Sequence, residues 1–403
     1  MKKVAVLFGG ISPEHDVSII SGMQVMDALD PEKYEVIPVY ISTKGQWYTG
    51  EILRDRETYL PTQQHFDQLT KVTLDVSREG TPKLISSSKG LLGSKRTTIA
   101  FDVAMPIFHG LIGEDGNIQG VFETANVPYT GMRTLGSAVT MDKVATKRIL
   151  AEAGVPVLDY RTIRRPSQGL LITEEELDKQ LNGFEFPGCV KPNHLGSSIG
   201  VARVDSLAEL SEVLPEIFKY DDTALLEPFV ENLAEMNVAV RRDGEVVKTS
   251  AIEKPKFTDD LLDFKDKYMS SDGGKNGAKN GGSKTPGQSS EGMLSLTREL
   301  NPELGELDGR LREMAETVFE QIDGAGAPRL DFISNAETGE VWFNELNPIP
   351  GSYGFFLWEA SAENTLFSEL LDDLIEEAVT LHAGRQLPND PTPEEARIFK
   401  RRG

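Results

Sequence analysis

Residues 188–204 read GCVKPNHLGSSIGVARV. A short apolar run carries Lys191 to Pro192 as a strand. A polar loop rich in Gly and Ser follows, and a second strand starts near Gly200 and runs to Val204. The segment is therefore expected to form a β-hairpin with a polar tip. Lys191, the hydroxyls of Ser197 and Ser198 and the bare amides around Gly196 can surround a phosphate with a cation and donors. Plain hairpin turns use the same residues. No G-x-x-x-x-G-K-[ST] occurs in the chain, and no G-x-G-x-x-G follows a strand. Neither a Walker loop nor a nicotinamide site is indicated.

Upstream, the apolar run at residues 4–8 leads into Gly9 and Gly10 and then a helix from about Asp16. Ile19, Ile20, Met23, Met26 and Leu29 give that helix an apolar face. Further runs at 36–41, 103–108 and 127–129 read as strands, so the first part of the chain is expected to be an open α/β sheet. Residues 50–98 give mixed signals and are left unplaced. A helix over 141–153 stops at Gly154 and Pro156. Downstream of the hairpin, strands are expected at 224–229, 236–240 and 246–251. Paired strands follow at 329–334 and 341–345, after a helix marked by Leu307, Leu311, Met314, Val318 and Ile322. Residues 270–290 are rich in Gly, Ser, Lys and Asn and lack core-forming residues. They read either as a surface insertion or as an active-site lid.

At 403 residues the chain is long enough for two or three domains. Lys and Arg number 42 against 64 Asp and Glu, a formal charge of −22. That charge argues against nucleic acid or an anionic membrane surface as the main partner. Cys189 is the single cysteine, which excludes an intrachain disulfide and fits a reducing, cytoplasmic setting. The first apolar run is too short for a signal peptide core or a membrane span.

Two further stretches carry chemistry. HGLIGEDG at 109–116, followed by NIQG at 117–120, sets three glycines around two acids at a strand end. That suits either a close backbone approach to a ligand or a solvated turn. Arg329-Leu330-Asp331 and Glu345-Leu346-Asn347 bring hard oxygen donors together. Glu345 and Asn347, two apart on a strand, face one side. Such oxygens suit Mg²⁺, although an acidic strand end has the same look.

Taken in order, these residues resemble the D-alanine–D-alanine ligase family of the ATP-grasp superfamily. The resemblance rests on G-G-x-S-x-E-H-x-V-S at 9–18, H-G-x-x-G-E-D-G-x-x-Q-G at 109–120, Met141-Asp142-Lys143 and K-P-x-x-x-G-S-S-x-G at 191–200. Glu227, Glu235, Lys267-Tyr268, R-x-D at 329–331, E-x-N at 345–347 and Pro350-Gly351 extend it to about residue 380. It implies an α/β ATP-grasp fold of three domains, 1–132, 133–226 and 227–403, with ATP between the second and third and a lid at about 268–297.

The resemblance also implies roles. Lys143, Lys191 and Lys267 would contact phosphates. Glu227, Phe229, Val230 and Glu235 would complete the nucleotide site. Asp331, Glu345 and Asn347 would hold two magnesium ions, with manganese as a substitute. Arg329 and the Gly351 amide would stabilise an oxyanion. Ser197 and Tyr268 would position substrate and lid, and His109 would lie near the first substrate's carboxylate. Asp16 would bind that substrate's ammonium in place of the family's Glu. The substrates would be small amino acids joined through an acyl phosphate for peptidoglycan synthesis, and the assembly a homodimer.

One run departs from the family pattern. After Pro-Gly the family has Met-Thr-Ser-His-Ser-Leu, and its last Ser helps bind the second substrate's carboxylate. Here the run is Ser352-Tyr353-Gly354-Phe355-Phe356-Leu357, which puts Phe356 at that Ser. Phenylalanine has no donor. Either Ser352 or a backbone group takes over, or the acceptor differs, as in a related dipeptide or depsipeptide ligase.

Overall fold

The computed structural model describes residues 1–59, 66–90, 93–196, 199–255, 298–385, 392–393 and 396–398. The expectations for Ser197, Lys267, Tyr268 and the lid at 268–297 lie outside these residues.

Three sheets organise the chain. β1 (Lys2–Gly9) lies between β2 (Tyr34–Ile41) and β7 (Val103–Ile107), parallel to both. Both of its faces are covered, so its residues read as one apolar run, with Val4 through Phe8 at most 2% exposed. Beyond β3 (Trp47–Thr49), the unplaced stretch supplies most of an antiparallel extension: β4 (Thr70–Leu74), β5 (Lys83–Gly90) and β6 (Gly93–Ala100) follow outward from β2. Much of it is half exposed, which explains its mixed sequence signal. Residues 127–129 form no strand, and only Tyr129 makes a single bridge to Ala104.

α1 (His15–Ala28) packs on β1. Ile19 and Met26 are buried as expected, but Ile20 turns outward, and Ser18, Ser21 and Gly22 complete the inner face. Small and hydroxyl residues belong there because the face closes on backbone at Ser18 and on the Phe8 side chain at Gly22. The Ser18 hydroxyl accepts from the Gly9 amide at 2.8 Å and donates to the Ile107 carbonyl.

The second sheet is antiparallel. It contains β8 (Arg161–Arg164), β9 (Gly188–Pro192), β10 (Ala202–Val204) and β11 (Thr223–Pro228) in the order β10-β9-β11-β8. The hairpin expected around 196–199 is thus β9 and β10. The expected domain boundary at 226/227 cuts through β11. The third sheet holds β12 (Leu233–Asp243), β13 (Val246–Pro255), β14 (Arg298–Leu300), β15 (Arg329–Asn335) and β16 (Val341–Asn347), all antiparallel. The amphipathic helix Glu306–Gln321 lays Leu311, Ala315, Val318 and Phe319 on it. The expected helix over 141–153 is Lys143–Glu152, started by Asp142, whose side chain accepts from the Ala145 amide.

Candidate active site

A cavity of about 470 Å³ opens between the second and third sheets, and the loop after β7 closes one end. Clefts of this size between domains commonly bind small ligands.

One wall carries cations. Lys143, first in its helix, donates to the Leu195 carbonyl at 2.6 Å and lies 3.4 Å from Glu345. Lys191 on β9 donates to Asn344 Oδ1 at 2.8 Å and to Glu227 at 2.6 Å. Glu227 is also 2.6 Å from Lys147, a residue the sequence reading passed over. Burial pushes the Glu227 carboxyl up, but the two lysines outweigh that and hold it below its ordinary value. Phe229, Val230 and Leu233 continue the lining as an apolar slot, beside Glu235.

Behind this wall sits a brace. His194 places Nδ1 2.9 Å from Asp221 and Nε2 3.4 Å from Asp142. Asn193 donates to Asp142 at 2.9 Å and accepts from the Val144 amide at 3.0 Å. The loop after β9 is thereby stapled to the helix start that presents Lys143.

The opposite wall is acidic. Asp331 faces Glu345 across β15 and β16, and Asn347 faces Arg329. Arg329 grips Asp331 with two bonds of 2.7 Å, and Asn347 donates to it at 2.9 Å. Burial, with Asp331 and Glu345 nearby, raises Glu235 to about 7. Burial likewise opposes the charge on Glu345, yet Lys143, Lys191 and Arg329 together keep it low. Hard oxygens crowded this closely suit a small divalent cation, which would relieve their repulsion.

The end formed by the first sheet corrects one expectation. Asp16 is exposed and does not line the cavity, whereas Glu14, two residues earlier, does. A Cβ on Gly110 would stand 2.6 Å from Glu14 Oε2, and φ there is +75°, so glycine is required for the loop to pass this carboxylate. The motif G-G-x-S-x-E-H already contained Glu14, and the signal was misaligned by two positions. His109 is 6% exposed, with Nε2 3.0 Å from Ser21 Oγ. Burial, reinforced by Arg329, lowers its pKa to about 4, so it is neutral at pH 7. Glu114 accepts from the Gly110 and Ile349 amides at 2.6 and 2.8 Å. Burial raises it to about 8, with Glu14 adding to the effect.

Gly351 lines the cavity, but Ser352 does not. Its hydroxyl donates to Gln24 Oε1 and its amide to Ser21 Oγ, and the residue is 1% exposed. Ser352 therefore does not stand in for the family's acceptor-binding Ser. Phe356 does line the cavity. Among the described residues, the structure thus gathers His109, Lys143, Lys191, Glu227, Phe229, Val230, Glu235, Arg329, Asp331, Glu345, Asn347 and Gly351 around one space, and leaves out Asp16 and Ser352.

The family model described as D-ala D-ala ligase N-terminus matches residues 3–132, and that described as D-ala D-ala ligase C-terminus matches 149–280 and 287–376. A D-alanine–D-alanine ligase of Thermosipho africanus is 34% identical over 93% of this chain and 92% of its own. The solved D-alanine–D-alanine ligase of Coxiella burnetii superposes with a TM-score of 0.71 at 26% identity, covering 96% of this chain and 97% of that one. The VanG D-Ala:D-Ser ligase of Enterococcus faecalis gives 0.72 at 25%, covering 94% and 99%. The chain belongs to the D-alanine–D-alanine ligase family.

Proposed function

We propose that the protein uses ATP to join two D-alanines into D-alanyl-D-alanine through an acyl phosphate, in the cytoplasm, for peptidoglycan synthesis. The observation that supports this most directly is the meeting of two buried lysines, an acid cluster, Arg329 and the Gly351 amide around one cavity. Lys143 and Lys191 bind the ATP phosphates, while Glu227 and the slot at Phe229 and Val230 take the base. Asp331, Glu345 and Asn347 would hold magnesium, which when bound neutralises charge on the transferred phosphoryl group. Glu14 binds the first substrate's ammonium, and neutral His109 lies beside its carboxylate. The second amine, once deprotonated, attacks the acyl carbon, Arg329 with the Gly351 amide stabilises the oxyanion, and its collapse breaks the acyl C–O bond and releases inorganic phosphate. Among the described residues no helix is long and apolar enough to cross a membrane.

A second reading keeps the activation chemistry and changes the acceptor to another amino acid or a hydroxy acid. Phe356 in the cavity lining favours it. The test is phosphate release across D- and L-amino acids with products identified by mass. D-Alanine that drives ATP hydrolysis but never yields a dipeptide refutes the first reading. For the chemistry, Arg329→Ala is expected to keep ATP binding and lose turnover by about 100-fold or more; unchanged turnover removes Arg329 from its role.

A further inference from the structure

An acceptor amino acid brings a carboxylate into this cleft, and a carboxylate drawn out of water needs a cation or several donors. Four cationic side chains line the cavity among the described residues: Lys143, Lys191, Arg298 and Arg329. The two lysines are held on the phosphate wall by Leu195, Asn344 and Glu227. Arg329 commits two nitrogens to Asp331. Arg298 has partners as well, and what sets it apart is its place. It stands on the edge strand β14, with its guanidinium carbon 4.0 Å from the centre of the Phe356 ring. Its Nη1 lies 3.5 Å from Glu253 Oε1, and the other Glu253 oxygen accepts from Asn237 at 3.2 Å.

We infer that Arg298, seated on the ring of Phe356, binds the acceptor's α-carboxylate. This rests on the ligase reading and deepens it. A guanidinium stacked on an aromatic face is fixed in plane and turns its fork of donors sideways, the geometry that matches a carboxylate. Phe356 cannot donate a hydrogen bond itself. It supplies instead the platform for a group that can. Glu253, paired through Nη1, helps to orient the guanidinium and balances its charge. The acceptor class that follows is an α-amino or α-hydroxy acid with a free carboxylate.

The test uses the full-length enzyme and D-alanine. The rate of dipeptide formation against D-alanine concentration resolves two half-saturation constants, donor and acceptor, and ATP gives a third. Arg298→Ala is expected to raise the acceptor constant about 10- to 100-fold, the usual cost of a lost charge-assisted bond, and to leave the other two within about 2-fold. Arg298→Lys should recover part of the loss, since a point charge replaces the fork. Phe356→Leu removes the platform but keeps the guanidinium, and should raise the same constant about 3- to 10-fold. An acceptor constant unmoved in Arg298→Ala, or three constants shifting together, overturns the inference. A wild-type enzyme that hydrolyses ATP but makes no dipeptide from D-alanine overturns the ligase reading and this inference with it. Normal wild-type synthesis with an unmoved acceptor constant overturns this inference alone.

Discussion

Lys147 and Glu227 are each 1% exposed and 2.6 Å apart, and the second Glu227 oxygen is 2.6 Å from Lys191. The geometry pairs two lysines with one carboxylate, and burial with the neighbouring lysines lowers Lys147 below its ordinary value while Lys191 is raised. Removing one partner of a buried ion pair ordinarily costs about 3–5 kcal/mol, because the other charge is stranded. The two single substitutions are not equivalent here. Glu227→Gln strands two lysines and should cost the full amount, about 3–5 kcal/mol. Lys147→Met leaves Glu227 paired with Lys191, a neutral set, and replaces the stem with a similar apolar chain. It should cost less, about 1–3 kcal/mol. The double variant should cost less than the sum of the singles, because with Glu227 neutral a methionine at 147 removes a stranded charge. A coupling energy of at least about 1 kcal/mol is expected. Urea unfolding of the nucleotide-free enzyme, followed by circular dichroism, reads these differences. Equal costs for the two singles, or both below about 1 kcal/mol, would refute the charge count.

Glu14→Gln should lower turnover about 10- to 150-fold through loss of a charged contact to the first substrate, whereas Asp16→Asn should stay within about 3-fold; the reverse order restores Asp16. The raised pKa of His194, driven first by Asp142 and then by Asp221, moves it from 6.5 to about 10. Its contribution is full below about pH 6.5 and is lost as pH rises through about 10. Solvent reaches a third of the ring, so that contribution is about 1 kcal/mol rather than the full shift. Urea midpoints of wild type and His194→Gln should differ at pH 6 and converge near pH 10; a gap that is constant with pH refutes the ionic brace. At Gly326, φ is +77° and a Cβ would lie 2.6 Å from the Gly131 Cα. Gly326→Ala should therefore destabilise by about 2–4 kcal/mol on thermal unfolding, and a loss below about 1 kcal/mol would show that the contact relaxes.

The elements that were legible in the sequence share one physical trait. Each packs both faces, or one clean face, against a core. The run at 4–8 is readable because parallel neighbours cover it twice, and β15 and β16 because their chemistry alternates with apolar residues. β4 to β6 were not readable, because half-exposed strands on the outer side of the sheet carry little hydrophobic pattern. At the site, residue types and order were enough to find the lysines and the acids. Direction was not available. Ser352 is the right residue type in the right segment, but its φ of +47° turns it inward to Gln24. Arg298 escaped because nothing in Thr297-Arg298-Glu299-Leu300 marks it; its position depends on β14 folding back beside β13, a pairing across an excursion of more than 40 residues. Asp16 is a different case, since the same motif also holds Glu14, the acid that does line the cavity.

The way the three sheets are joined bears on how the cavity works. The first sheet shares one apolar core with the C-terminal segment: Val4, Phe8 and Ile107 pack in the same cluster as Ile349, Tyr353, Trp358 and Leu374. Glu114 and Ser21 add hydrogen bonds to the Ile349 and Ser352 amides across that junction. Separating these parts would expose apolar surface at a cost of about 25 cal/mol per Å², which opposes their moving apart. The second sheet differs. Among the described residues its core runs from Ile163 to Leu226 and takes no member from outside it. Its ties to the acid wall are polar: Lys191 to Asn344, and the loop at Leu195 through Lys143 to Glu345. Such bonds exchange for others at little net cost, typically about 1 kcal/mol each. A nucleotide entering this cleft can therefore replace Asn344 and Glu345 as partners of the lysines without opening a core. On the proposed function, the wall that would meet the phosphates is the one free to adjust, and the end that would orient two small substrates is not.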